Sequence, residues 1–198
     1  MEAESRSASF TSTTFSRREF DLSVKRISRG LRRKARAVAL LLLDVDGVLT
    51  DGRIIIDERG IETKQFHVHD GQGIALLLRA GIQVGLISSR SSSSVRRRAK
   101  ELGIRLVRQG VRDKLEAYDE IKRDCGLPDA RIAYMGDDVI DLPVLRVAGL
   151  AFSVADGWAE LHRRVDYVTT KGGGCGAVRE VAEIILKAQG KWANLVKI

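Results

Sequence analysis

Six short apolar runs, each followed by a polar loop and a helical stretch, constrain this chain more than any other feature. The runs are Val38–Leu43, Gln83–Ile87, Arg105–Val107, Ile132–Met135, Leu150–Ser153 and Tyr167–Val168. Between them, helices are expected near Gly71–Ala80, Ser92–Leu102, Asp113–Cys125, Ile140–Val147, Trp158–Arg163 and Ala177–Gln189. Near-continuous apolar strands alternating with helices imply a parallel sheet covered on both faces, so the fold class is α/β. Ligands of such sheets sit beyond the carboxyl ends of the strands. One segment breaks the alternation. Arg53–Phe66 holds two β-prone runs joined by Asp57-Glu58-Arg59-Gly60, which predicts a β-hairpin directly after the first strand.

The 198 residues suit one compact domain plus an extension. The net charge of +8 suggests nucleic acid, but its distribution argues against that partner: residues 1–37 carry ten Lys/Arg against four Asp/Glu, leaving little excess on the domain. Residues 1–18, rich in Ser, Thr and Arg, are expected to form a disordered basic tail. Residues 19–36 space Leu22, Val24, Ile27, Leu31 and Ala35 as in an amphipathic helix. Residues 37–191 make the domain and 192–198 a C-terminal tail. The apolar run Ala37–Leu43 is far short of the roughly 20 residues needed to span a bilayer. Cys125 and Cys175 lie far apart without a metal-site pattern, which fits a reducing cytoplasm.

The strand ends carry the chemistry. Asp44 and Asp46 close the first run two residues apart, on one face of an extended strand. Such close carboxylates repel unless a cation or shared proton relieves them, and an all-oxygen pair suits Mg²⁺. Gly47 next to them lets backbone approach a phosphate. Ser88 and Ser89 end the second run, where they are either hydrogen-bond donors to a phosphate or neighbours of a helix cap. Lys114 begins the helix after the third run, a position unfavourable to the helix dipole unless an anion lies near. Asp137, Asp138 and Asp141 follow the fourth run; capping explains one of them, not all three. Each piece alone has an ordinary structural reading. Their shared position on one rim is the signal.

These motifs resemble those of the haloacid dehalogenase-like phosphatases: Asp44-Val45-Asp46-Gly47-Val48, Ser88, Lys114 and Gly136-Asp137-Asp138 match its four motifs. The resemblance implies a Rossmann-like fold and Mg²⁺-dependent hydrolysis of a phosphomonoester. Asp44 is then the nucleophile and Asp46 the general acid and base. Asp44, the backbone carbonyl of Asp46, and Asp137 hold the ion, with Asp138 or Asp141 supporting. Ser88 and Lys114 bind phosphoryl oxygens.

Residues 35–191 are more narrowly similar to the 3-deoxy-D-manno-octulosonate 8-phosphate phosphatase branch, through DVDGVLTDGRI, KQFHVHDGQGI, GDDVIDLPVL and KGGGCGAVREV. That branch lacks a cap domain, forms homotetramers in which a neighbour closes the site, and serves lipopolysaccharide sugar synthesis. By the same resemblance Gly172–Gly176 close a site, Arg179 lies near the ligand, and Arg90 pairs with the sugar carboxylate. Ser89 stands where the branch usually has glycine, and Cys175 where it commonly has arginine. A nonulosonate 9-phosphate phosphatase or a broader sugar-phosphate phosphatase stays open as the alternative. A signalling receiver domain is a distant one, because its acceptor follows a later strand and it has no hairpin.

Overall fold

A computed structural model describes residues 27–197. The expected tail over 1–18 lies outside them, as does the first part of the expected helix over 19–36. Within the described residues the chain starts with helix α1 (Arg29–Ala37), whose Leu31 and Ala35 are buried while its arginines face outward. Ser28 caps it by accepting the Leu31 N–H. Residues 192–198, expected as a tail, contain a short helix, Trp192–Val196, with Trp192 buried.

Six parallel strands follow the anticipated runs: β1 (Leu40–Leu43), β4 (Gln83–Ser88), β5 (Leu106–Gln109), β6 (Ile132–Gly136), β7 (Leu150–Ser153) and β8 (Tyr167–Val168). The antiparallel hairpin β2 (Ile55–Ile56) and β3 (Glu62–Thr63) forms a separate two-stranded ladder. The sheet order is β5-β4-β1-β6-β7-β8. Counting only sheet strands, that is the doubly wound order 3-2-1-4-5-6, whose direction reverses between β1 and β6. A receiver domain carries the flavodoxin-like order 2-1-3-4-5 instead, which removes that alternative.

Side-chain alternation along β1 divides the core. Leu41 and Leu43 point to one face, packing with Leu86, Met135 and Phe152 under α1, α2 (Val68–Arg79) and α7 (Ala177–Ala188). Leu40 and Leu42 point to the other, packing with Ile87, Tyr134 and Ile121 under α4 (Lys114–Cys125) and α5 (Leu142–Val147). Helix α3 (Ser93–Leu102) covers the first face and α6 (Ala159–His162) lies beside the second. With every residue of β1 buried, the sheet centre is rigid, and the loops at its carboxyl end are held from below.

A buried carboxylate ties α2 to α7. Asp70 accepts the Gly176 N–H at 3.2 Å and the Arg179 N–H at 2.8 Å, satisfying donors that open α7. Removing it leaves those donors unpaired beneath the surface. Asp70→Ala is expected to cost about 1–3 kcal/mol in urea unfolding; an unchanged midpoint contradicts this reading of Asp70.

Candidate active site

The reversal between β1 and β6 brings the two acidic loops side by side. The Asp44 N–H donates to the Met135 carbonyl at 3.0 Å, so β1 pairs with β6 up to its last residue. Carboxylate oxygens of Asp44, Asp137 and Asp141 lie within 4.8 Å of one another. Asp44 and Asp141 are buried and Asp137 is partly so. Gly47 makes this approach possible: its φ is +91°, and a Cβ there collides with the Asp137 carboxylate. Thr50, buried below the loop, accepts the Gly47 and Gly52 N–H groups and sets its curve.

The three carboxylates differ in what they have left to offer. Asp141 is saturated: Oδ1 accepts Lys114 Nζ at 2.7 Å and the Tyr134 hydroxyl at 2.6 Å, while Oδ2 accepts the Asp137 and Asp138 N–H groups at 3.1 and 3.2 Å. It is a fixed anchor for Lys114 and for the loop. Asp138 is exposed and accepts the Val139 N–H at 2.7 Å, capping the 3₁₀ turn Val139–Asp141, so it acts as a cap and supports the site only through the backbone. Asp137 is different, because its buried Oδ1 has no hydrogen-bond partner among the described residues. A buried orphan oxygen facing a second carboxylate fits a hard cation.

Charge arithmetic agrees. Lys114 Nζ, with its side chain 2% exposed, lies 2.8 Å from Asp44 Oδ2 and 2.7 Å from Asp141 Oδ1. One ammonium against three ionised carboxylates leaves −2, the charge a divalent cation offsets. Without that ion the pair is strained. Burial, then the charge of Asp141, pushes the Asp44 carboxyl up to about 6. Burial, then the charge of Asp44, pushes Asp137 up to about 8. Burial works against the Lys114 ammonium, but Asp44 and Asp141 outweigh it and raise its pKa.

Asp46 stands apart from this trio. Its Oδ1 is paired with the Lys64 ammonium, delivered by the hairpin, and its Oδ2 lies 4.0 Å from Arg90 Nε. Any share it takes in the cation therefore falls to its backbone carbonyl, as the resemblance implies. The Lys64 side chain is 1% exposed and also meets Glu62 Oε1 at 2.8 Å. Glu62 in turn lies 3.4 Å from Arg90. Neither Lys64 nor Glu62 was expected at the site, although their spacing of two on a strand puts them on one face.

Of the remaining expected residues, Ser88 is buried at the end of β4, where its Oγ accepts the Arg90 N–H at 3.2 Å. Ser89 is exposed on the loop beside it. Arg179 does not join the group: its Nε is held by Glu183 at 2.9 Å and its guanidinium lies 5.0 Å over the Trp192 ring. Helix geometry explains this, since Glu183 is one turn along α7 and competes successfully for the side chain. Within the chain, Gly173 and Gly174 pack on the acidic loop after β1, while Cys175 is exposed. The Gly174 N–H donates to the Val48 carbonyl at 3.0 Å, Gly173 is held by Asp156 at 2.9 Å, and a Cβ on Gly173 collides with the Gly47 carbonyl.

Comparison with known proteins bears on this geometry. No family model matches the chain. It is 44% identical over 165 residues to the 3-deoxy-D-manno-octulosonate 8-phosphate phosphatase of Escherichia coli, covering 83% of this chain and 88% of that protein. The crystal structure of the phosphatase of that name from Moraxella catarrhalis, in complex with magnesium, phosphate and KDO, is 46% identical with a TM-score of 0.83, covering 84% and 96% of the two chains. The cobalt-bound form from Haemophilus influenzae is 42% identical with a TM-score of 0.78, covering 80% and 92%.

Raised carboxyl pKa values give a sign to the pH dependence. In the metal-free protein, stability associated with protonated Asp44 and Asp137 is present below the ordinary carboxylate range and lost as pH rises toward about 8. Mg²⁺ binds the deprotonated pair and competes with protons at low pH. The rise in Tm on adding Mg²⁺ is therefore expected to be larger at pH 8 than at pH 5.5 in thermal melts. Equal shifts at both pH values contradict a carboxylate pair as the binding site.

Proposed function

Because the chain belongs to the 3-deoxy-D-manno-octulosonate 8-phosphate phosphatases, within the haloacid dehalogenase-like hydrolases, we propose that it hydrolyses that sugar-acid phosphate to the free sugar acid and phosphate, with Mg²⁺ as cofactor. The observation that carries the reading is the buried meeting of Asp44, Asp137 and Lys114 at the sheet's reversal point.

The residues divide the work as follows. Asp44 attacks phosphorus, forming an aspartyl-phosphate while the ester P–O bond breaks. Asp46 gives its proton to the departing sugar oxygen. It then takes a proton from water, which attacks the same phosphorus, releases phosphate and restores the Asp44 carboxylate. Lys114 aims Asp44 and neutralises part of the charge that keeps two anions apart. Ser88 lies at the end of β4 to receive a phosphoryl oxygen. Asp44 and Asp137 would hold Mg²⁺, which would supply charge stabilisation for the transferring phosphoryl group. Arg90, 44% exposed on the loop after β4, meets the sugar carboxylate. That favours a sugar acid over a neutral sugar phosphate; the octulosonate is preferred to the nonulosonate because of the relatives' activity.

The protein also assembles, in this reading, as a homotetramer. Ile54, Ile55, Ile56 and Ile61 on the hairpin are each more than 40% exposed, so both faces of the hairpin offer apolar surface to a neighbour. Two free thiols suit the cytoplasm. Among the described residues no helix is long and apolar enough to cross a membrane.

Two experiments test these statements. Purified protein with Mg²⁺ is expected to release phosphate from octulosonate 8-phosphate faster than from unrelated sugar phosphates. EDTA should stop turnover, and Asp44→Asn should lower it on the order of a thousandfold or more. Equal turnover by Asp44→Asn removes the covalent mechanism. For assembly, a double Ile55→Glu and Ile56→Glu variant is expected to elute as a smaller species than wild type by size-exclusion with light scattering; an unchanged mass rules out this surface as an interface.

A further inference from the structure

An exposed arginine is a poor specificity element on its own. Its side chain has several free rotors, and ordering one such side chain on binding costs about 0.5–1.5 kcal/mol. Arg90 sits on the loop after β4 with little packed around it, yet the hairpin reaches across and gives it a partner. The link is built in a chain. The Lys64 side chain is 1% exposed, and its ammonium meets Asp46 on one side and Glu62 Oε1, at 2.8 Å, on the other. Burial opposes this ammonium, but the neighbouring carboxylates Asp46 and Glu62 outweigh it and raise its pKa. The same Glu62 oxygen lies 3.4 Å from one terminal nitrogen of Arg90, an ion pair rather than a hydrogen bond. Two cations and two carboxylates alternate, so the group is neutral as a whole. Glu62 at one terminal nitrogen and Asp46, 4.0 Å from Nε, occupy only part of a guanidinium that offers five N–H donors, which leaves donors for a substrate carboxylate.

We propose that Glu62, braced by the buried Lys64, is a positioning residue that holds the Arg90 guanidinium ready for an anionic group on the substrate remote from its phosphate. The hairpin then contributes to substrate choice, through a residue that touches the arginine and not the reacting atoms. This rests on the reading of Arg90 given above, which the test checks separately.

The test compares kcat/KM for octulosonate 8-phosphate with kcat/KM for p-nitrophenyl phosphate, which has no carboxylate. Full-length wild type, Arg90→Ala and Glu62→Gln are assayed with saturating Mg²⁺. Arg90→Ala is expected to lower the ratio; if it does not, Arg90 does not read the carboxylate, and the reading and the inference fall together. With that established, Glu62→Gln is expected to lower the ratio about two- to tenfold, chiefly through KM for the sugar acid. A ratio that is unchanged, or loss equally distributed over both substrates, overturns the positioning role while leaving Arg90 in place. A ratio that rises means Glu62 competes with the substrate carboxylate, and overturns it too. Should Glu62→Gln fail to fold, Glu62→Asp, which keeps the charge but withdraws it by one methylene, is read in the same way.

Discussion

Everything at the rim depends on how one buried ammonium is shared. Lys114 lies between Asp44 and Asp141 and is nearly sealed from water. Breaking such a contact strands charge in a low-dielectric setting, which costs far more than an exposed pair is worth. Asp141 is the passive end: two side-chain donors and two backbone donors saturate it. Asp44 is the active end, held but not saturated. The same anchor that fixes Lys114 also fixes the backbone of Asp137 and Asp138. Asp44, Lys114 and the backbone of the Asp137–Asp138 loop are thereby tied through a single carboxylate.

The position of this device follows from topology. In a doubly wound sheet the helices after β1 and β6 leave in opposite directions, and a crevice opens between the strand ends. Here it opens above β1, every residue of which is buried, so the loops rest on a rigid floor. The Gly-rich stretch before α7 closes one side by packing on the Gly47–Thr50 loop, and Asp70 fixes where that stretch enters its helix. The hairpin stands over another side and delivers Lys64 to Asp46. A fold without a separate cap domain thus gains part of its cover from elements of its own sheet domain.

Much of this was legible from residue order because the relevant constraint is repetitive. Strand–helix alternation has only a few solutions, and the rim residues recur just after each strand, so Asp44, Ser88, Lys114 and Asp137 stood out by position. What was not legible depends on side-chain competition. Asp138 and Asp141 look equivalent in GDDVIDLP, but only a folded loop decides which one caps a turn and which one is buried against Tyr134. The resemblance places Arg179 near the ligand; within the chain Glu183 and Trp192 hold its side chain along α7. Lys64 and Glu62 carry no sign of their role in the sequence, because a short hairpin of two-residue strands does not reveal which face turns inward. Asp70 gave no local signal, since its partners are more than a hundred residues away.

The central claim is that acidic loops from β1 and β6 share one divalent ion. Calorimetric titration of Mg²⁺ into the metal-free protein at neutral pH measures this directly. The account predicts one site per chain in wild type and loss of that site in both Asp44→Asn and Asp137→Asn. Wild-type affinity retained in Asp137→Asn would contradict it.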